Sequence, residues 1–334
     1  MLLFFSVYIL SAGSGSKTEE EEKKDEPAYG VPQGIPRRIL VFSNLEPGPI
    51  SSILQFINKS TGLNCKLSED SGTNLSPGGE FDIYMGVNLN EKYRKIYNYA
   101  SDSWDEINPE YHKKGVYTWS RWYSCLAVNE AIEEDFSIYR SAVLDSLKGK
   151  ATMVDPSDDA IALSIIDTLY RFYGRDILID LNSTIPVYRE TGEDLVFTIE
   201  SGQYASAIGI AGYFTDSIIT GYPIQLFFES YNSEKYPVTT VSGTNVAYIP
   251  DTSTNREGSE FLIDYLASSH FQEYLRNTYY HPILEIEYDK EFSDLFPGEP
   301  KNVMPVEADL DSLEKVLIIW NEILYPEGVK EVVE

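Results

Sequence analysis

The stretch Asp155–Gly174, DPSDDAIALSIIDTLYRFYG, constrains this chain most when read with Ser201–Phe214, SGQYASAIGIAGYF. The first is a turn opening an amphipathic helix: Ser157 and the acids after it can cap free amides, while Ile161, Ile165, Leu169 and Phe172 line one face. Gly174 supplies the stop. The second is a short apolar strand, AIGIAG, ending in the aromatic pair Tyr213 and Phe214. Open α/β sheets place their ligands at such a carboxyl end. The two pieces together predict a ligand-binding lobe.

A chain of 334 residues can bury one or two α/β cores, and its 43% hydrophobic and 24% charged composition is ordinary for folded protein. The 53 acidic residues against 26 basic ones give a net charge of −27. That surplus opposes nucleic-acid phosphates and anionic membrane surfaces as partners. Leu2–Leu10, LLFFSVYIL, is an apolar run too short to span a membrane, followed by SAGSGS and the charged tract KTEEEEKKDE. It reads as an export signal and tether, which places the protein in the periplasm or at the cell surface. The two cysteines, Cys65 and Cys125, exclude a disulfide framework and CxxC zinc sites, and both are expected as buried free thiols.

After the tether (1–36), RRILVFSN is a strand, and the helix that follows carries Ile50, Ile53, Leu54 and Ile57 on one face. LNCKLSED and FDIYMGVN are the next strands, an order that argues a parallel doubly wound sheet. Glu106–Tyr123 is polar and aromatic and reads as a loop; CLAVNEAI is a strand leaving the first lobe. The second lobe, 129–242, holds the Ser157 helix, the helical stretches ILIDLNSTI and DLVFTIESGQ, and the strands AIGIAG and GYPIQLFFES. The chain then returns through the strand GTNVAYIP to the first lobe, 37–128 plus 243–330, with one long helix from Asn255 to Arg276 and another from Leu310 to Leu324. Ser43, Asn44 and Glu46 after the first strand, and Gly86 in the turn after the third, are expected to rim one cleft.

In their order and spacing these pieces resemble the solute-binding proteins of bacterial ABC importers, in particular the ferric-iron binders and their phosphonate- and sugar-phosphate-binding relatives. The resemblance runs from about Arg37 to Ile283. It is carried by LVFSNLEPGPISSILQFINKSTGLN, FDIYMG, WYSCLAVNEAI, DPSDDAIALSIIDTLYRFYG, ESGQYASAIGIAGYF and NVAYIPDTSTNREGSEFLIDYLASSHFQEYL. It implies the type II periplasmic binding fold: two α/β lobes joined by crossing strands, with a hinge that closes over the ligand. It also implies a monomer that performs no catalysis and works with a permease and an ATPase on separate chains. The N-terminus is similar to a lipoprotein signal as well, but Ser14 stands where the lipidated cysteine belongs, which counts against a lipid anchor.

Two ligand classes stay open at this level. Ferric binders of this group follow the AIGIAG-type strand with two tyrosines; here Tyr213 keeps the metal-ligand position and Phe214 has no oxygen to offer. The leading cargo is Fe(III), held with a synergistic anion. Phosphate binders have small residues in the turn that here reads Ser157, Asp158, Asp159, and two carboxylates there repel phosphate. A small organic or phosphorylated solute (a phosphonate, a sugar phosphate, a polyamine-like cation) is the alternative, as is a domain that presents its ligand to a sensor. Trp119, Trp122 and Tyr123 either stack on an organic ligand, with Arg121 meeting a carboxylate or the anion, or clamp the lobe boundary. No HExxH, GxSxG, GxGxxG or GxxxxGK motif suggests an enzyme or a nucleotide site.

Overall fold

A computed structural model describes residues 29–325 except 72–78, 89–94, 106, 133–143, 229–233, 277, 279, 287–297 and 308. The run read as an export signal, Ser14, and most of the stretch read as an acidic tether lie outside the described residues. Among the described residues no helix is long and apolar enough to cross a membrane.

The first lobe starts where RILVF forms β1 (Arg38–Phe42), with Ile39, Val41 and Phe42 buried. Pro47 opens α1 (Pro47–Thr61), whose Ile50, Ile53, Leu54 and Ile57 are buried, and Gly62 at φ 75° ends it by donating its N–H to Asn58 O. β2 (Asn64–Leu67) and β3 (Ile83–Val87) pair with β1 in parallel, as the strand–helix–strand order predicts. Gly86 lies within β3, not in a turn after it. A Cβ there would stand 2.2 Å from Asn44 Oδ1, so glycine at this position serves close packing of strand against loop.

β4 (His112–Lys113) turns into β5 (Val116–Asn129), a strand of 14 residues that belongs to both lobes. Its first half pairs antiparallel with β10 (Val241–Tyr248), and its second half with β8 (Ser206–Ile210) and β9 (Ile224–Phe227). The C-terminal part of the segment read as a loop up to Tyr123, Val116–Tyr123, is therefore the first half of the crossing strand. In the second lobe, β6 (Ala151–Val154) pairs in parallel with β8 and with β7 (Tyr188–Arg189). The strand order is β2-β1-β3-β10-β5-β8-β6-β7, with β11 (Met304–Pro305) on β10. It is a mixed α/β sheet curling from one lobe into the other.

Helices α2 (Ala160–Tyr173), α3 (Arg175–Thr184), α4 (Gly192–Glu200) and α5 (Thr215–Ile219) belong to the second lobe. Ile161, Ile165 and Leu169 of α2 are buried as expected, but Phe172 is 56% exposed, one turn past the covered face. The long helix expected from Asn255 to Arg276 is two: α6 (Arg256–Leu266) and α7 (Ser269–Leu275). Ser268 breaks it, because its hydroxyl caps α7 by accepting from Phe271 N. The last helix, α8 (Leu310–Leu324), packs on α2 and α3 of the second lobe, whereas the sequence places 243–330 with the first. Trp320 meets the Tyr188 ring edge-on, Arg175 pairs with Glu322, and Ser157 Oγ donates to Asn321 Oδ1. Both cysteines are free and buried.

Candidate functional site

Three chain segments meet where the lobes face each other. β1 runs into the loop ending at Glu46, the residue before α1; β6 runs into Asp155–Asp159, which caps α2; and β8 ends in the 3-10 turn Ala211–Phe214. Asp159 is the N-cap of α2, its Oδ1 accepting from Ala162 N at 2.5 Å. Its Oδ2 accepts from the Tyr213 hydroxyl at 3.2 Å. Glu46 crosses from the first lobe, where its Oε1 accepts from Gly192 N at 2.5 Å, the first amide of α4.

The electrostatics of this trio are one-signed. Burial, then the Asp159 charge, and then Glu193 and Asp194 push the Glu46 carboxyl up to about 8, although the Gly192 hydrogen bond opposes them. Burial raises Asp159 to about 6 against the hydrogen bonds it accepts from Ala162 and Tyr213. Burial and the two carboxylates hold the Tyr213 phenol well above its ordinary value. The charges that weigh most on the trio are therefore all acidic, and a cation placed among them would relieve each at once. Behind Tyr213 and Asp159 the wall is apolar: Val154, Ile165 and Ile208 help enclose a void of about 10 Å³, no larger than one water. Among the described residues no three His, Cys, Asp or Glu side chains are grouped to hold a metal.

The other sequence-expected residues divide into those near this trio and those elsewhere. Asp158 is exposed; partial burial, then the charges of Asp155 and Glu190, raise its carboxyl. Ser157 is exposed and engaged with Asn321. Ser43 and Asn44 do not present side chains to the cleft surface: both are buried, Ser43 Oγ accepting from Leu45 N and Asn44 Oδ1 from Val87 N. Phe214, the last residue of the 3-10 turn, is fully buried.

The aromatic cluster is core. Trp119 and Trp122 are both 0% exposed; Trp119 packs edge-on against Phe271 and Tyr280, and the Trp122 ring fills the space beside Gly243. Arg121 pairs with Glu299 at 2.8 Å and also donates to Pro282 O and the Tyr123 hydroxyl. It fastens the segment after α7 to β5 and leaves no free guanidinium for a ligand. Gly192, Glu193 and Asp194 are the part of the site not expected from sequence. Their signal was present in T-G-E-D, since Thr191 caps α4 by accepting from Asp194 N.

The fold is that of the type II periplasmic binding proteins. Iron-bound HitA from Pseudomonas aeruginosa has the same fold: TM-score 0.65, 13% identity, 86% of this chain and 99% of that one covered. The periplasmic binding protein AfuA from Actinobacillus pleuropneumoniae, with fructose-6-phosphate bound, matches at TM-score 0.65 and 14% identity, covering 85% and 98%. A two-component system protein described as mediating signal transduction matches at TM-score 0.61 and 16% identity, covering 84% and 99%. No protein-family profile matches the chain. No curated protein matches it by sequence.

Proposed function

We propose that this chain is an extracytoplasmic solute-binding protein that captures a hard cation, ferric iron, by closure of the two lobes and delivers it to an ABC importer whose permease and ATPase are separate chains. The observation that carries the reading is the convergence of Glu46 from one lobe with Asp159 and Tyr213 from the other. Phenolate and carboxylate oxygens are hard donors suited to a trivalent ion, and a ligand favours closure only through contacts from both lobes. Binding replaces the protons that burial keeps on Glu46 and Tyr213, because the metal's charge inverts the local preference for neutral groups.

A phosphorylated solute, as in AfuA, is the second reading. Asp159, Glu193 and Asp194 count against it, since each brings like charge to a phosphate, and Glu46 already occupies the Gly192 amide. Titration of the metal-free protein with ferric citrate, followed by visible absorption and native mass spectrometry, tests the choice. One bound iron with a phenolate charge-transfer band supports the iron reading. Absence of the band, with a thermal shift on adding a sugar phosphate instead, overturns it.

A further inference from the structure

Glu46 stands at the N-cap of α1 with φ −51° and ψ 135°, yet its side chain makes no capping bond to its own helix. It reaches instead across the cleft, 146 positions along the chain, to the Gly192 amide. That amide is one of the donors a helix leaves over at its start, and Thr191 already serves Asp194 N. So α4 has one first-turn donor satisfied from its own lobe and another from the opposite lobe.

The exchange runs both ways. Glu193 Oε1 lies 2.7 Å from the point where a Cβ on Gly48, the second residue of α1, would stand. Two positive helix ends thus approach across the cleft, each with a carboxyl group of the other lobe set against it. Glycine permits the approach on both sides: at Gly192 a Cβ would stand 3.0 Å from the Tyr213 ring and 3.1 Å from Glu46 Oε2.

We infer that the Glu46 carboxyl group is a built-in latch that closes the cleft without cargo and, by occupying the Gly192 amide, denies that donor to phosphate-bearing solutes. The inference rests on the cleft being the solute site, as proposed above. A phosphate at a helix start needs free amides. Here it must first displace Glu46 and then sit beside Asp159, Glu193 and Asp194. A cation meets no such competition, because Glu46 Oε2 faces the Tyr213 side of Gly192 while Oε1 holds the amide.

The test uses two cysteines for spin labels on exposed positions of the two lobes, Gln55→Cys on α1 and Ile179→Cys on α3; the native thiols are buried. Inter-lobe distances are read by pulsed EPR in metal-free protein. The wild-type background is expected to give the short, closed distance, and Glu46→Ala a shift to a longer one. Glu46→Gln, which keeps an acceptor oxygen, should retain the closed distance, and Gly192→Ala should lengthen it by wedging the same contact. With inorganic phosphate as probe, wild type should show no thermal shift and Glu46→Ala should gain a saturable one. The inference is overturned if Glu46→Ala keeps the wild-type distance, or if phosphate stabilises the wild-type protein. Because these distances are taken without metal, failure of the ferric titration would remove the cargo reading and leave the latch to be judged on its own result.

Discussion

The Tyr213 hydroxyl donates to Asp159 Oδ2 at 3.2 Å while the other oxygen of the same carboxylate caps α2. One carboxylate therefore joins the start of a helix to the end of a strand. Tyr213→Phe removes only the donor, so its cost in stability should be about 1 kcal/mol, the usual net worth of one hydrogen bond. Its effect on iron should be far larger, with loss of the charge-transfer band and at least a tenfold fall in affinity. Equal iron affinity in the two proteins would exclude Tyr213 as a ligand.

Asp159→Ala should cost more in stability than Tyr213→Phe, because it also uncaps α2, a loss of about 1 kcal/mol by itself. Asp159→Asn keeps a capping oxygen and should recover most of that loss while still weakening cation binding. Chemical denaturation of the three variants, set beside ferric titrations, separates the capping role from the ligand role.

The pH dependence has a definite sign. In the fold, Glu46 is raised from 4.5 to about 8, and Asp159 and Asp167 from 3.8 to about 6. Between those values the folded chain holds protons that the unfolded chain has shed, so stability falls as pH rises from about 4 through 8. Thermal melts of the metal-free protein should show a steadily decreasing Tm across that window, and Glu46→Gln should flatten its upper part. On the proposed cation reading the dependence runs the opposite way: binding would release protons, so affinity should grow with pH over the same range. A Tm that climbs from pH 5 to 8 without metal would contradict this account.

Trp122 is buried against Gly243, whose Cβ would stand 2.1 Å from the ring. Trp122→Ala should cost ~3–5 kcal/mol, as large-to-small changes of buried aromatics do. Gly243→Ala should also destabilise, through overpacking. If Trp122 lined the ligand site, the alanine variant would instead fold nearly as stably and lose affinity; denaturant midpoints and ferric titration distinguish the two.

Much of the first lobe was readable from sequence because Ile50, Ile53, Leu54 and Ile57 keep a helical period between two apolar strands. Of VYTWSRWYSCLAVN only the CLAVN end was, for a physical reason: β5 is covered along most of its length, so Thr118, Ser120 and Ser124 are buried alongside Trp119 and Trp122, and the alternation that marks a half-exposed strand is missing. Tyr213 and Phe214 look equivalent in sequence, yet the 3-10 turn sends one toward Asp159 and the other into the core. Glu46 was legible as a residue of the cleft rim, but its partner, Gly192, lies 146 positions along the chain, and no local pattern records that meeting.

The path of the C-terminal segment sets a mechanical limit on the cleft. β11 is held to β10, Arg121 grips Glu299, and α8 is seated on α2 and α3. Only residues 306–309 run between β11 and α8. Fully extended, the five steps from Pro305 to Leu310 reach roughly 17 Å. The link therefore acts as a short leash: the lobes can rock apart only until it draws taut, and lengthening it by a few glycines should widen the swing without touching any group that meets the cargo.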